Sequence, residues 1–89
     1  MKILRFRESH NLTGPQIKKL RKRKGLTQEQ VVAKMQVAGI QIDQKAISRI
    51  ETGDRVITDY ELMCLAEILG VSVDQIIHDS IYSMDEDIC

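Results

Sequence analysis

All thirteen lysines and arginines of this 89-residue chain fall within residues 1–55, where only five acids accompany them. Residues 56–89 hold eight acids and neither Lys nor Arg. The formal charge is zero overall, yet it divides into +8 and −8. Cations massed in one half can neutralise the phosphates of a nucleic acid, a contribution that dominates non-specific affinity. Side chains suited to catalysis show no comparable arrangement. His10 and His78 lie near opposite ends, neither beside a nucleophile or a carboxylate pair in a recognisable motif. With Cys64 and Cys89 they form the whole stock of nitrogen and sulfur side-chain ligands for zinc, and their spacing lacks the short paired repeats of a structural site. There is no glycine-rich phosphate loop. The chemistry expected is binding, with no catalytic residue, no metal and no cofactor.

The elements that must position such cations are clearest between Thr27 and Gly53. Thr27 can cap a helix that carries Val31, Val32 and Met35 on one side. That helix is expected to run to Ala38, because Gly39 can take the left-handed conformation that ends one. Asp43 caps a second helix over about 44–52, with Ala46, Ile47 and Ile50 as its inner face and Gly53 as its stop. Two short helices joined this way form a helix-turn-helix, which sets its second helix in the major groove of DNA.

Three stretches in fixed order carry a family resemblance: Leu20-Arg21 with Gly25-Leu26-Thr27-Gln28-Glu29-Gln30, then Ala46-Ile47-Ser48-Arg49-Ile50-Glu51-Thr52-Gly53, then Leu65-Ala66-Glu67-Ile68-Leu69-Gly70-Val71-Ser72-Val73-Asp74. With their spacers they span residues 15 to about 78. The chain resembles the lambda-repressor-like, Cro and xenobiotic-response-element family of bacterial and phage DNA-binding proteins. It departs from the pattern between Gln36 and Asp43, where the connection is about five residues longer than the family's.

The resemblance implies a compact all-α domain of five helices and double-stranded DNA as partner. It assigns base reading to the outward side chains of the second motif helix: Gln44, Lys45, Ser48 and Arg49. An amide can pair bidentately with adenine, and Lys or Arg suits guanine O6 and N7. Asp43 is first a helix cap and only second a base contact, because the helix N–H groups need its carboxylate. Gln28 matches the family glutamine that meets a phosphate, and Arg55 and Arg21 are further phosphate candidates. Arg21 and Glu51 match a pair that the family joins by a salt bridge between the first and third helices, for which an exposed geometry would give only about 0–1 kcal/mol.

The rest of the chain fits this frame. Aromatic residues are 3% of the composition, so the core must be aliphatic. The domain is expected over 13–78, with residues 1–12 as a basic arm or a frayed terminus and 79–89 as an acidic tail. Thr13 and Gln16 form a capping-box pattern ahead of a first helix with Ile17 and Leu20 inward. Thr58 and Glu61 do the same for a fourth helix, whose broad apolar face draws on Tyr60, Met63, Cys64, Leu65 or Ala66, Ile68 and Leu69. Ser72 caps a short fifth helix, Val73 to about His78. No run approaches 18 apolar residues, so no membrane span is expected, and Met1-Lys2-Ile3-Leu4 is too short for a signal peptide. Two unpaired cysteines suit a reducing cytosol, here a prokaryotic cytosol or nucleoid.

These readings converge on a sequence-specific transcription regulator, in the first place a repressor, acting as a homodimer with contacts near Ile76, Ile77, Ile81 and Tyr82. The alternatives are an antitoxin or restriction-controller regulator with a protein partner, or an interaction adaptor that has lost DNA binding and uses its acidic end.

Overall fold

The structure, a computed structural model, describes the backbone of residues 9–88 and the side chains of residues 9–82. Five helices follow one another: α1 (Gly14–Lys24), α2 (Gln28–Val37), α3 (Gln44–Thr52), α4 (Asp59–Leu69) and α5 (Val73–Ile88). No strand occurs among the described residues.

Local chemistry sets most of the helix starts. Thr27 and Gln30 close a capping box on α2, with Gln30 N–H donating to Thr27 Oγ1 at 3.0 Å and Thr27 N–H to Gln30 Oε1 at 2.8 Å. Thr58 and Glu61 repeat it on α4. Asp43 Oδ1 accepts from Ala46 N–H at the start of α3, and Ser72 Oγ from Gln75 N–H at the start of α5. Each satisfies an amide that the first helical turn leaves without a partner.

α1 departs from this pattern. Thr13 has helical backbone angles (φ −95°, ψ −11°), so its hydroxyl does not meet the Gln16 amide, and no Thr13–Gln16 box forms. A capping residue needs extended backbone to turn its side chain back onto the helix. Asn11 takes over instead, its Oδ1 accepting from Gly14 N–H at 2.6 Å. Thr13 Oγ1 is buried with no hydrogen-bond partner.

The long connection between α2 and α3 is a built turn. α2 runs to Val37 with Ala38 as its cap, as the sequence suggests, and Gly39 follows at φ 91°. Gly39 and Ile40 N–H groups return to the carbonyls of Gln36 and Met35. Gln36 Nε2 then donates to Ile42 O at 3.0 Å, and the Ile42 side chain enters the core.

Among the described residues the core is wholly aliphatic and draws on every helix: Ile17 and Leu20, Val31 and Met35, Ile47 and Ile50, Leu65, Ala66 and Leu69, and Ile76, with Ile42 from the turn. On α4 the covered stripe runs through Glu61, Leu65 and Leu69, where α1, α2 and α5 lie against it. Tyr60 and Met63 fall on its other side and are exposed, which narrows the apolar face expected for this helix. Cys64 is half-buried; burial, and then the charge of Glu67, push its thiol pKa up. α5 does not stop near His78 but continues to Ile88, so the expected boundary at 78–79 falls inside a helix. Ser80 supports this continuation, its hydroxyl donating to Ile76 O one turn back.

Of the expected arm, residues 1–8 lie outside the described residues, as does Cys89. Ser9 to Leu12 are held against the body of the domain, with His10 N–H donating to Gly53 O at 2.8 Å. No described helix is long and apolar enough to cross a membrane.

Candidate nucleic-acid interface

α3 divides sharply between two faces. Ile47, Ile50 and Glu51 are buried, while Gln44, Lys45 and Arg49 are exposed and Ser48 is half-buried. Positions i, i+1, i+4 and i+5 share one side of a helix, so these four side chains form a continuous outward row. Asp43, exposed, is occupied as the cap at the head of that row. Amide, ammonium, hydroxyl and guanidinium together can address both purines and phosphate oxygens.

The opposite side of α3 is locked to α1 and α2 through one carboxylate. Arg21 Nε donates to Glu51 Oε2 at 2.6 Å and its second amino group to Glu51 Oε1 at 3.0 Å. The remaining Arg21 amino group donates to Leu26 O at 2.8 Å. The side chains are only 10% and 2% exposed. The hydrogen bond to Glu51 outweighs burial and, with the carboxylate's charge, raises the Arg21 pKa above its ordinary value. Arg21 therefore points its donors inward, to a carboxylate and to a carbonyl of the α1–α2 connection.

Gln28 extends this network to the outward row. Its Nε2 donates to Glu51 Oε1 at 3.1 Å, and its Oε1 accepts from Gln44 Nε2 at 3.4 Å. An amide offers both roles at once, which neither a carboxylate nor an ammonium can. The head of α2 thus touches the head of α3 through Gln28, at the helix end where backbone N–H groups and the dipole favour a phosphate.

Arg55 stands apart from that cluster. It forms a bidentate pair with Glu61, at 3.0 and 3.1 Å, and donates to its neighbour Val56 O. Burial alone would push the Glu61 carboxyl up. The hydrogen bonds from Arg55 and Thr58 and the Arg55 charge outweigh it and hold that carboxyl below the usual range. The Arg55 side chain keeps a third of its surface in solvent, so an edge remains available beside α3.

The structure thus brings Gln28, Gln44, Lys45, Ser48 and Arg49 to one side, uses Arg21 and Glu51 as the brace behind them, and sets Arg55 on the loop after α3. Two contributors escaped the sequence reading. Gln36 shapes the turn through Ile42 O, with no local signal beyond its amide. Asn11 bonds Ile50 O at 3.0 Å and Arg55 O at 2.7 Å. Its preference for helix starts could have drawn notice, three residues ahead of Gly14.

No match was found among curated proteins or among solved structures. A family model described as helix-turn-helix matches residues 17–76, which is most of the chain and takes in Arg21, Gln28, all of α3 and Arg55. The chain belongs to the Cro/C1-type helix-turn-helix family of DNA-binding transcription regulators.

Proposed function

We propose that this protein is a sequence-specific repressor that reads the major groove with α3 as a homodimer. The observation that carries the reading is the two-faced α3: a solvent-facing row of Gln44, Lys45 and Arg49 backed by the buried Arg21–Glu51 pair and the half-buried Gln28. Side chains that read base edges must be free on one side and fixed from the other, because discrimination of about 1–3 kcal/mol per bidentate contact depends on their geometry. Gln44 and Lys45, at the head of the helix, are the first base readers, and Arg49 and Ser48 read one turn on. Gln28 positions the protein on a phosphate and orients Gln44. Arg55 is the phosphate contact after α3. Arg21 serves that contact set as a brace, since its donors are committed inward.

Two copies would address half-sites about one helical turn apart. Ile77 and Ile81 are half-buried and Tyr82 is exposed on the outer half of α5, so they supply a surface for a second copy; Ile76 is buried within its own domain. Repression then requires only occupancy of the operator.

Selection of bound duplexes from a random pool tests this, followed by titration of the winner and a scrambled control across salt. The reading expects a palindromic winner, a selective complex of two chains per duplex by light scattering, and a log-log salt slope near −0.9 per phosphate neutralised. Binding that ignores sequence would end it.

A second reading, a regulator or adaptor with a protein partner, draws on Val37, Tyr60 and Met63, large apolar side chains that stand exposed on α2 and α4. Recovery of a stoichiometric protein without DNA would favour it.

A further inference from the structure

We infer that Asn11 is a positioning residue for DNA reading: it fixes the far end of α3 and the loop bearing Arg55 against the start of α1. The inference rests on the DNA-binding reading above. It concerns a residue outside 17–76, the segment that the family model covers.

The Asn11 carboxamide engages three separate pieces of the domain. Its oxygen accepts from Gly14 N–H at 2.6 Å, at the head of α1. Its nitrogen donates to Ile50 O at 3.0 Å, in the last turn of α3, and to Arg55 O at 2.7 Å, in the following loop. The neighbours reinforce it. Ser9 Oγ donates to Asn11 O at 2.6 Å and also reaches Gly53 O at 3.4 Å, and His10 N–H donates to Gly53 O at 2.8 Å. The end of a helix leaves carbonyls without helical partners. Residues 9–11 bring donors to this one, on the side facing α1.

The seat has no slack. A Cβ added at Gly14 would run into the backbone carbonyl of Ile50, so at this point α1 and α3 meet main chain to main chain. α3 is therefore held at both ends: its head by the Gln28–Gln44 contact, its tail by Asn11 beside the Arg21–Glu51 pair. A nine-residue helix is only about 14 Å long, so a shift of about 1 Å at its tail tilts the base-reading row by a few degrees. Bidentate hydrogen bonds to base edges weaken steeply with misalignment. Phosphate attraction, being a charge effect, hardly responds. Loss of Asn11 should therefore lower selectivity more than it lowers non-specific binding.

Two substitutions separate this role from simple capping of α1. Asn11→Asp keeps an oxygen for Gly14 N–H and removes both donated bonds. Asn11→Ala removes all three. Each full-length variant would be titrated against the duplex selected by the wild type and against a scrambled duplex, across salt and well below its melting temperature. Both variants are expected to bind the selected duplex about tenfold more weakly, with scrambled binding changed less than about twofold and the salt slope retained. Wild-type selectivity in Asn11→Asp, with loss only in Asn11→Ala, would reduce Asn11 to a cap. Equal losses on both duplexes, or failure of both variants to fold by circular dichroism, would also overturn the positioning role. If the wild type itself fails to discriminate, the DNA-reading proposal falls first and this one with it.

Discussion

Glu51→Gln removes one negative charge at the centre of the brace and little else. In the folded protein the Glu51 carboxylate accepts two bonds from Arg21 and one from Gln28, with its side chain 2% exposed. The amide can keep an oxygen toward one donor, but its NH₂ group then faces a second donor. The Arg21 guanidinium, 10% exposed, loses its counter-charge and keeps Leu26 O and at most the amide oxygen as acceptors. Breaking a buried pair on one side typically costs about 3–5 kcal/mol. The pair here lies near the surface of a small domain, so about 2–4 kcal/mol is the better expectation. An unfolding entropy of about 2.1 cal/mol/K per residue gives roughly 0.19 kcal/mol/K for 89 residues, and hence a fall in melting temperature of about 10–20 °C. Calorimetry at neutral pH measures it directly. Replacing both partners, Arg21→Met with Glu51→Leu, should return stability to the wild-type level or above, because no charge is then left buried. The double variant should still lose selectivity for the chosen duplex, since Gln28 has no Glu51 to hold it against Gln44. A Glu51→Gln melting point within about 2 °C of wild type, with unchanged DNA binding, would refute the whole account of the brace.

Three further expectations follow from the same contacts. Gln44→Ala or Lys45→Ala should cost about 1–3 kcal/mol on the selected duplex and little on scrambled DNA, measured by fluorescence anisotropy; equal loss on both would show that these side chains do not read bases. Gly14→Ala should destabilise the domain by more than about 1 kcal/mol in urea titration even though alanine is the better helix former, because the obstacle is the Ile50 main-chain carbonyl, which cannot swing aside. The Glu61 carboxyl has a lowered pKa in the fold, so its contribution is complete above the ordinary Glu value of about 4.3 and is lost as pH falls from there through the folded value. Glu61→Gln should accordingly flatten the acid limb of a stability profile below about pH 4.3, and an unchanged limb would place the acid sensitivity elsewhere.

Much of the local structure was legible because its causes are local. A capping side chain acts three residues along the chain, so Thr27, Asp43, Thr58 and Ser72 could be read as helix starts without knowing what packs around them. The stops at Gly39 and Gly53 were legible for the same reason, and the aliphatic core followed from the scarcity of aromatic residues. Thr13 shows where that logic fails: the role expected of it went to Asn11, two residues earlier, whose amide also reaches α3. Tyr60 and Met63 fit an apolar pattern on α4, yet which side of that helix is covered depends on where α1, α2 and α5 lie. α5 likewise runs past the point where its strongest apolar signal ends.

The sequence by itself determined the five helices, through caps and apolar spacing, while three ordered motifs carried the family resemblance and, with it, the outward row on α3. Only the tertiary structure decided what stands behind that row. Arg21 and Glu51 are 30 residues apart, and their worth depends on a burial that no spacing encodes. Asn11 finds Ile50 and Arg55 across 39 and 44 residues. Local propensity can propose a helix, but the angle at which it is held comes from groups that meet only once the chain has closed around its core.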